Sequence, residues 1–329
     1  MTDTHDGLHP VPPRILDFYI VGGPKCGTTS LFDWLSQHPG THLVGKEPNF
    51  LSRDVFDARG LPGSLQTWDD YLTRLLPPPE SGRIAGEATP RYLYSDRALE
   101  ILARHPARPR IIAVLRNPID LVRSLHGQML RQGVETETDF ATAWDRALAR
   151  GADPEAWRDA QGRIDRRLDY PMFGLLGVRI ARLCAAIPAE RRRILILEEE
   201  MSTDPAAAIA MLLDFLGLEP VTLDLARQNT AVELQSIRLN RLIRKLRAAV
   251  ERLRGTLGMD VFPARSRKRG TGLLRLINRF NLRVPAPGRS LDPALRGRLA
   301  RYFAEDVALL RATLDQPIPA WTDWPVRHA

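Results

Sequence analysis

Cysteine is nearly missing from this chain. Two occur in 329 residues, Cys26 and Cys184, so a disulfide framework is excluded as the source of stability and a reducing, cytoplasmic setting is expected. Neither cysteine has a second ligand at metal-binding spacing, so no metal site is expected. Long apolar runs are missing as well: none approaches the ~18 residues that cross a bilayer. The opening residues, MTDTHDGLHPVPPRILD, lack the basic start and apolar stretch of a secretory signal. Residues 1–15 read instead as a disordered start. No internal repeat is present.

What remains is ordinary globular material, 44% hydrophobic and 26% charged, enough to bury a real core. The expectation is one domain over residues 16–329. Its charge is uneven. The chain has 47 Lys/Arg against 39 Asp/Glu, and residues 236–283 alone hold 14 against two, leaving 33 against 37 elsewhere. One basic segment therefore makes the protein cationic. Its first part, 236–257, reads as an amphipathic helix with leucines at helical spacing and arginines between them. A solvated face, an anionic acceptor or a peripheral membrane contact would each account for it. No stacking aromatics are interleaved there, so nucleic acid is not an expected partner.

Short apolar runs alternate with amphipathic ones. DFYIVG (17–22), THLV (41–44), RIAGE (83–87), RIIAVL (110–115) and RILILE (193–198) read as strands. TTSLFDWLSQH, IDLVRSLHGQML (after Pro118), DPAAAIAMLLDFLG (204–217) and the late LRGRLARYFAEDVALLRATL read as helices. Strands that are apolar throughout, alternating with helices, predict a parallel sheet covered on both faces, an α/β three-layer sandwich of P-loop-like type.

The first strand runs into GGPKCGTTS, residues 22–30. The glycine spacing is that of a phosphate-binding loop, G-x-x-x-x-G-K-[ST]. The lysine that should follow Gly27 is missing: Thr28 stands there, and the only loop lysine is Lys25. The turn over Gly22, Gly23 and Gly27 can still aim N–H groups at a phosphate, and the helix from Thr28 adds its positive end. Without the usual lysine a γ-phosphate and its Mg²⁺ are poorly served. The strand RIIAVL ends in Arg116, which repels a metal and attracts a second anion. The pattern suits a ligand with one phosphate in the loop and another near Arg116.

Those two elements together resemble the PAPS-dependent sulfotransferases, whose donor is 3′-phosphoadenosine 5′-phosphosulfate. FYIVGGPKCGTTSLFDWLSQHP (18–39) is similar to that family's 5′ motif, and IIAVLRNPIDLVRSL (111–125) to its 3′ motif. KEPNFL (46–51), GEATPRYLY (86–94) and RILILEEEMSTDPAAAIAMLLDFLGL resemble segments of the glycan branch, and RKRGTG (267–272) its late basic loop. The resemblance spans about residues 17–217 and that loop. It departs where animal heparan-type members carry His at the position of Asn49, Lys at that of Ala88, and a late disulfide. These departures argue against a heparan-like acceptor, not against the donor.

The resemblance implies roles. Gly23, Pro24, Lys25, Cys26, Gly27, Thr28, Thr29 and Ser30 would hold the 5′-phosphosulfate; Arg116 and Ser124, with Lys268, Arg269 and Gly270, the 3′-phosphate. Lys25 would sit at the 5′-phosphosulfate bridge, Lys46 would hold the carboxylate of Glu47 ionised or meet the sulfuryl oxygens, and Glu47 would be the general base. His42 and His126 are rival bases. Glu87 and Tyr92 would line the acceptor cleft. A sulfuryl transfer to a carbohydrate or other small-molecule hydroxyl or amine follows, by in-line attack and without a metal. Two other readings stay open on the residues alone: a P-loop nucleotide kinase, and a non-catalytic anion- or membrane-binding protein.

Overall fold

The computed structural model describes residues 11–43, 46–59, 64–78, 81–159, 161–225, 233–234, 282–283 and 291–324. The basic helix expected at 236–257 and the loop residues Lys268, Arg269 and Gly270 lie outside the described residues.

Five strands form one parallel sheet in the order β2-β3-β1-β4-β5. They are β1 (Phe18–Gly22), β2 (Thr41–Leu43), β3 (Ile84–Ala88), β4 (Arg110–Leu115) and β5 (Arg192–Ile196). The registers include Tyr19 opposite Glu87 and Gly22 opposite Val114. All five residues of β1 and five of the six in β4 are buried. A strand buried on both sides of its pleat needs cover on both faces, and the helices between strands supply it. In chain order these are α1 (Thr28–Leu35), α2 (Trp68–Leu75), α3 (Asp96–Arg104), α4 (Pro118–Gln132), α5 (Phe140–Arg150), α6 (Tyr170–Gly174), α7 (Leu176–Ala186), α8 (Pro205–Leu216) and α9 (Pro293–Leu314). A two-residue antiparallel pair, Glu233–Leu234 with Leu282–Arg283, is separate from the sheet. No described helix is long and apolar enough to cross a membrane.

The helix boundaries follow local chemistry. Asn117 caps α4, accepting from Ile119 N at 3.0 Å, and Pro118 opens it. Asp204 caps α8 in the same way, and Gly217 stops it in the left-handed region. At the N-terminus the expectation of disorder through residue 15 needs correcting. Ile15 is 2% exposed and Val11 packs against the core. Pro12 O meets the His105 ring at 2.8 Å. Apolar side chains at 11 and 15 thus bring this stretch into the packed chain.

The C-terminal residues 318–324 strap α9 to the sheet's loop end. Ile318 and Trp321 are fully buried. Trp324 Nε1 donates to Ala300 O at 2.8 Å, and Arg311 donates to Trp324 O at 2.5 Å.

Candidate functional site

The site lies where β1, β2 and β4 end, the edge at which open parallel sheets bind ligands. After β1 the chain turns through residues that only a particular backbone permits. Gly22 has φ 139°, and a Cβ there would fall 2.1 Å from Val114 O. Gly27 has φ 91° and would press a Cβ to 2.9 Å from Leu197 Cδ1. Gly27 is also the N-cap of α1, with no side-chain cap and no acid in the first turn. The first N–H groups of α1 therefore keep their affinity for an anion.

Lys25 sits at the tip of this turn with φ 67°. Burial pushes its ammonium below the usual lysine range, and the nearby Arg131, Arg116 and Lys46 push the same way. Lys46, beyond β2, donates to Thr29 Oγ1. Its pKa is lowered by burial, against the pull of Glu47 and Asp33. Arg116, at the end of β4, points into the turn, and its Nη1 donates to Lys25 O at 3.1 Å. Four cations thus converge on one glycine turn, an arrangement that a multiply charged anion would neutralise.

Glu47 stands beside them. Its backbone N–H donates to Ala88 O at 3.0 Å, extending the β2–β3 edge. Its carboxylate is 35% exposed and meets Arg91 Nη1 at 3.4 Å. The structure thus brings together Lys25, Thr29, Lys46, Glu47 and Arg116. Ser124 lies half-buried in the second turn of α4, and Ser30 half-buried in α1.

Several expected residues have other work. Cys26 is fully buried, its N–H donates to Gly23 O and its Sγ faces Pro24 O. Burial pushes its thiol well up, so Cys26 packs the turn from within and its side chain offers a ligand nothing. Glu87 and Tyr92, expected in the acceptor cleft, are 0% and 2% exposed. Neither presents surface to an acceptor: strand β3 turns Glu87 inward among Tyr71, Tyr92 and Thr89. Of the rival bases, His126 is buried and its Nε2 is held by Glu137 O at 2.9 Å. His42 lies on β2 beside Arg83, where burial and that charge lower its pKa.

With this geometry in place, the relatives can be compared. Over 205 residues, 62% of the chain, it is 28% identical to heparan sulfate glucosamine 3-O-sulfotransferase 6 of Mus musculus. Over 213 residues it is 27% identical to the bifunctional heparan sulfate N-deacetylase/N-sulfotransferase 2 of Bos taurus. Over this region the chain is similar to sulfotransferases. Its matching region covers 53% of the first of these proteins and 22% of the second. No protein-family model matches. In fold it is similar to a sulfotransferase from Alicyclobacillus acidocaldarius, with a TM-score of 0.62, 22% identity, and 94% and 99% of the two chains covered. The α/β fold with its central parallel sheet is therefore that of a sulfotransferase.

Three site residues escaped the sequence reading. Glu198, in the π-helical turn Leu197–Met201 after β5, lies 3.7 Å from Arg116 Nε. It also accepts from Asn117 N and Trp321 Nε1, each at 3.2 Å. Arg131, in the last turn of α4, acts electrostatically on Lys25. Arg91 Nη1 donates to Glu47 Oε2 at 3.4 Å. Nothing in their local sequence marks them, because each is brought in by a tertiary path.

Proposed function

We propose that this chain is a sulfotransferase. It would take the sulfuryl group of PAPS and place it on a hydroxyl or amine of a carbohydrate or other small-molecule acceptor. The observation that carries this is the convergence of Lys25, Lys46 and Arg116 on a glycine turn, with the carboxylate of Glu47 beside them. The turn fits a single phosphate: Gly22 leaves no room for a side chain, and α1 opens without a cap. The second anion pocket begins at Arg116, on a neighbouring strand end, where a 3′-phosphate would compete with Glu198 for the guanidinium.

Bound there, PAPS would supply a sulfuryl group whose transfer leaves negative charge on the nucleotide's 5′-phosphate. Lys25 and the α1 N–H groups are fixed beforehand where that charge grows, a contribution of ~2–4 kcal/mol per well-placed donor. Lys46, held on Thr29, would meet the sulfuryl oxygens. Glu47 takes the acceptor's proton as its oxygen or nitrogen attacks in line, worth about 10²- to 10⁴-fold in rate. The relatives' names point to glycan acceptors, which favours a carbohydrate here.

The test begins with binding. PAP, the donor without its sulfuryl group, should raise the melting temperature more than ATP with Mg²⁺ does; at a hundredfold over its Kd the gain is about 2.7 kcal/mol. Equal shifts would favour a nucleotide kinase. A screen with labelled PAPS across aryl alcohols, sugars, amines and lipids then seeks the acceptor. Glu47→Gln should lose transfer while keeping the PAP shift; a fully active Glu47→Gln removes the base from the mechanism.

A further inference from the structure

We propose that Arg91 is a positioning residue for Glu47. It holds one carboxylate oxygen from the protein interior and keeps the other turned toward the acceptor. The proposal rests on the reading of Glu47 as the base.

The segment that carries Glu47 is strained. Glu47 and Asn49 both adopt left-handed backbone, φ 52° and 53°, with Pro48 between them. Such conformations in residues other than glycine persist only where surrounding contacts impose them, and they gather at functional sites. Here the contacts are identifiable. Ala88 O holds the N–H of Glu47. Asn49 Nδ2 donates back to Glu47 O at 2.6 Å. Arg91 Nη1 then donates to Asn49 Oδ1 at 3.0 Å and to Glu47 Oε2 at 3.4 Å. One guanidinium nitrogen therefore ties the Glu47 carboxylate directly and the Glu47 peptide through the Asn49 amide.

Arg91 is well built for this. It lies in the 3₁₀ turn Pro90–Tyr94, next to Thr89, whose N–H is fixed to Ile20 O on the central strand. Its side chain is 8% exposed, and Cζ stacks 5.4 Å from the Phe56 ring centroid. Its Nε is buried with no hydrogen-bond partner, so Nη1 carries the contacts to Asn49 and Glu47. The carboxylate it pairs with is Glu47.

The reason for such a strut is the neighbouring charge. Glu47 acts electrostatically on both Lys25 and Lys46. A mobile carboxylate beside two ammonium groups would collapse onto one of them, which would bury its lone pairs and cancel the cation meant for the donor. Yet the ion pair that Glu47 makes among the described residues is with Arg91. The interior guanidinium wins because its orientation is already fixed, and a planar cation gives directional contact. Base and cations thus stay separate, close enough to share one reaction centre.

The test uses full-length enzyme and PAPS as the probe, following release of PAP and sulfate with water as acceptor. Arg91→Met should lower kcat about 10- to 100-fold, the cost expected of a misplaced catalytic group. The KM for PAPS and the PAP-induced melting shift should stay within about twofold. Arg91→Lys should restore part of kcat. A crystal structure of Arg91→Met with PAP should show the Glu47 carboxylate swung onto Lys25 or Lys46. The proposal is overturned if Arg91→Met keeps wild-type kcat, if kcat, KM and the PAP shift collapse together in both variants, or if Glu47 stays in place. Should Arg91→Met not fold, Arg91→Lys alone must show a several-fold kcat loss at constant KM. Loss of turnover in Arg91→Met with none in Glu47→Gln would instead condemn the assignment of the base.

Discussion

Glu87 shows how much one buried side chain can shape this protein. It is fully buried, and neither carboxylate oxygen has a hydrogen-bond partner although Tyr92, Tyr71 and Thr89 face it. Desolvation pushes its pKa from the ordinary 4.5 up to about 8, against the smaller opposing pull of those hydroxyls. The folded protein therefore binds a proton that the unfolded chain releases near pH 4.5. The sign follows: stability is full below that pH and is lost as pH rises toward 8, because unfolding then frees an acid that prefers to ionise. Glu87→Gln, neutral at every pH, should change melting little at pH 5 and stabilise at pH 8, a relative gain on the order of 3 kcal/mol. Parallel melting curves for the two proteins from pH 5 to 8 would show that Glu87 is ionised in the native state. From sequence Glu87 looked like a cleft residue, since the motif GEATP is readable but the inward turn of a strand residue toward two tyrosines and a threonine is not. The contrast with Lys25 is instructive. Its place was legible because a glycine turn must put its one lysine near whatever the turn binds.

At the scale of elements, the five strands and the helices α1, α4, α8 and α9 were readable because each carries a strong local signal: an apolar run, a proline at the start, a glycine at the end. Helices α2, α3, α5, α6 and α7 were not, and α7 shows why. Its N-cap, Leu175, has no capping side chain. The cap comes instead from α9, where Asp306 accepts from Gly177 N at 2.6 Å and Val178 N at 2.9 Å. A helix start made by a residue 129 positions away leaves no mark in the local sequence. The same contact gives a paired prediction. A Cβ at Gly177 would fall 2.0 Å from Asp306 O, a backbone atom that cannot step aside. Gly177→Ala should therefore force α7 and α9 apart and cost about 1–3 kcal/mol or more. Gly297, inside α9, would meet only Arg301 Nη1, at 3.7 Å. There the same substitution should stabilise by about 0.5–1 kcal/mol through reduced freedom of the unfolded chain. Thermal melting of the two variants should move in opposite directions; a shared sign would mean that helix propensity, not helix contact, governs both.

For the molecule as a whole, the C-terminal strap links the late helix to the two loops on either side of Arg116. Asp323 takes Arg296 at 2.6 Å through both oxygens and also accepts from Asn117 Nδ2 at 3.0 Å, immediately after Arg116. Glu198 joins the same knot through Trp321, and Glu199 accepts from Ala320 N at 2.7 Å. A segment placed this way does two jobs, closing the core with Ile318 and Trp321 and bracing the loops that hold Arg116. Ending the chain after Asp315 removes both. Loss of one large buried aromatic costs about 3–5 kcal/mol, which in a protein of this size lowers Tm by about 4–7 °C. Trp321→Phe separates the two jobs. The ring still fills its place, but Glu198 loses a hydrogen bond worth about 1 kcal/mol and keeps Asn117 N and Arg116 as its holds. Its Tm should fall by only a few degrees, while the stabilisation by PAP should weaken because Glu198 then competes more freely for Arg116. If the shortened chain melts where the full chain does, the strap is ornamental to the core. If Trp321→Phe responds to PAP as the parent does, Glu198 and the phosphate do not compete for the same guanidinium.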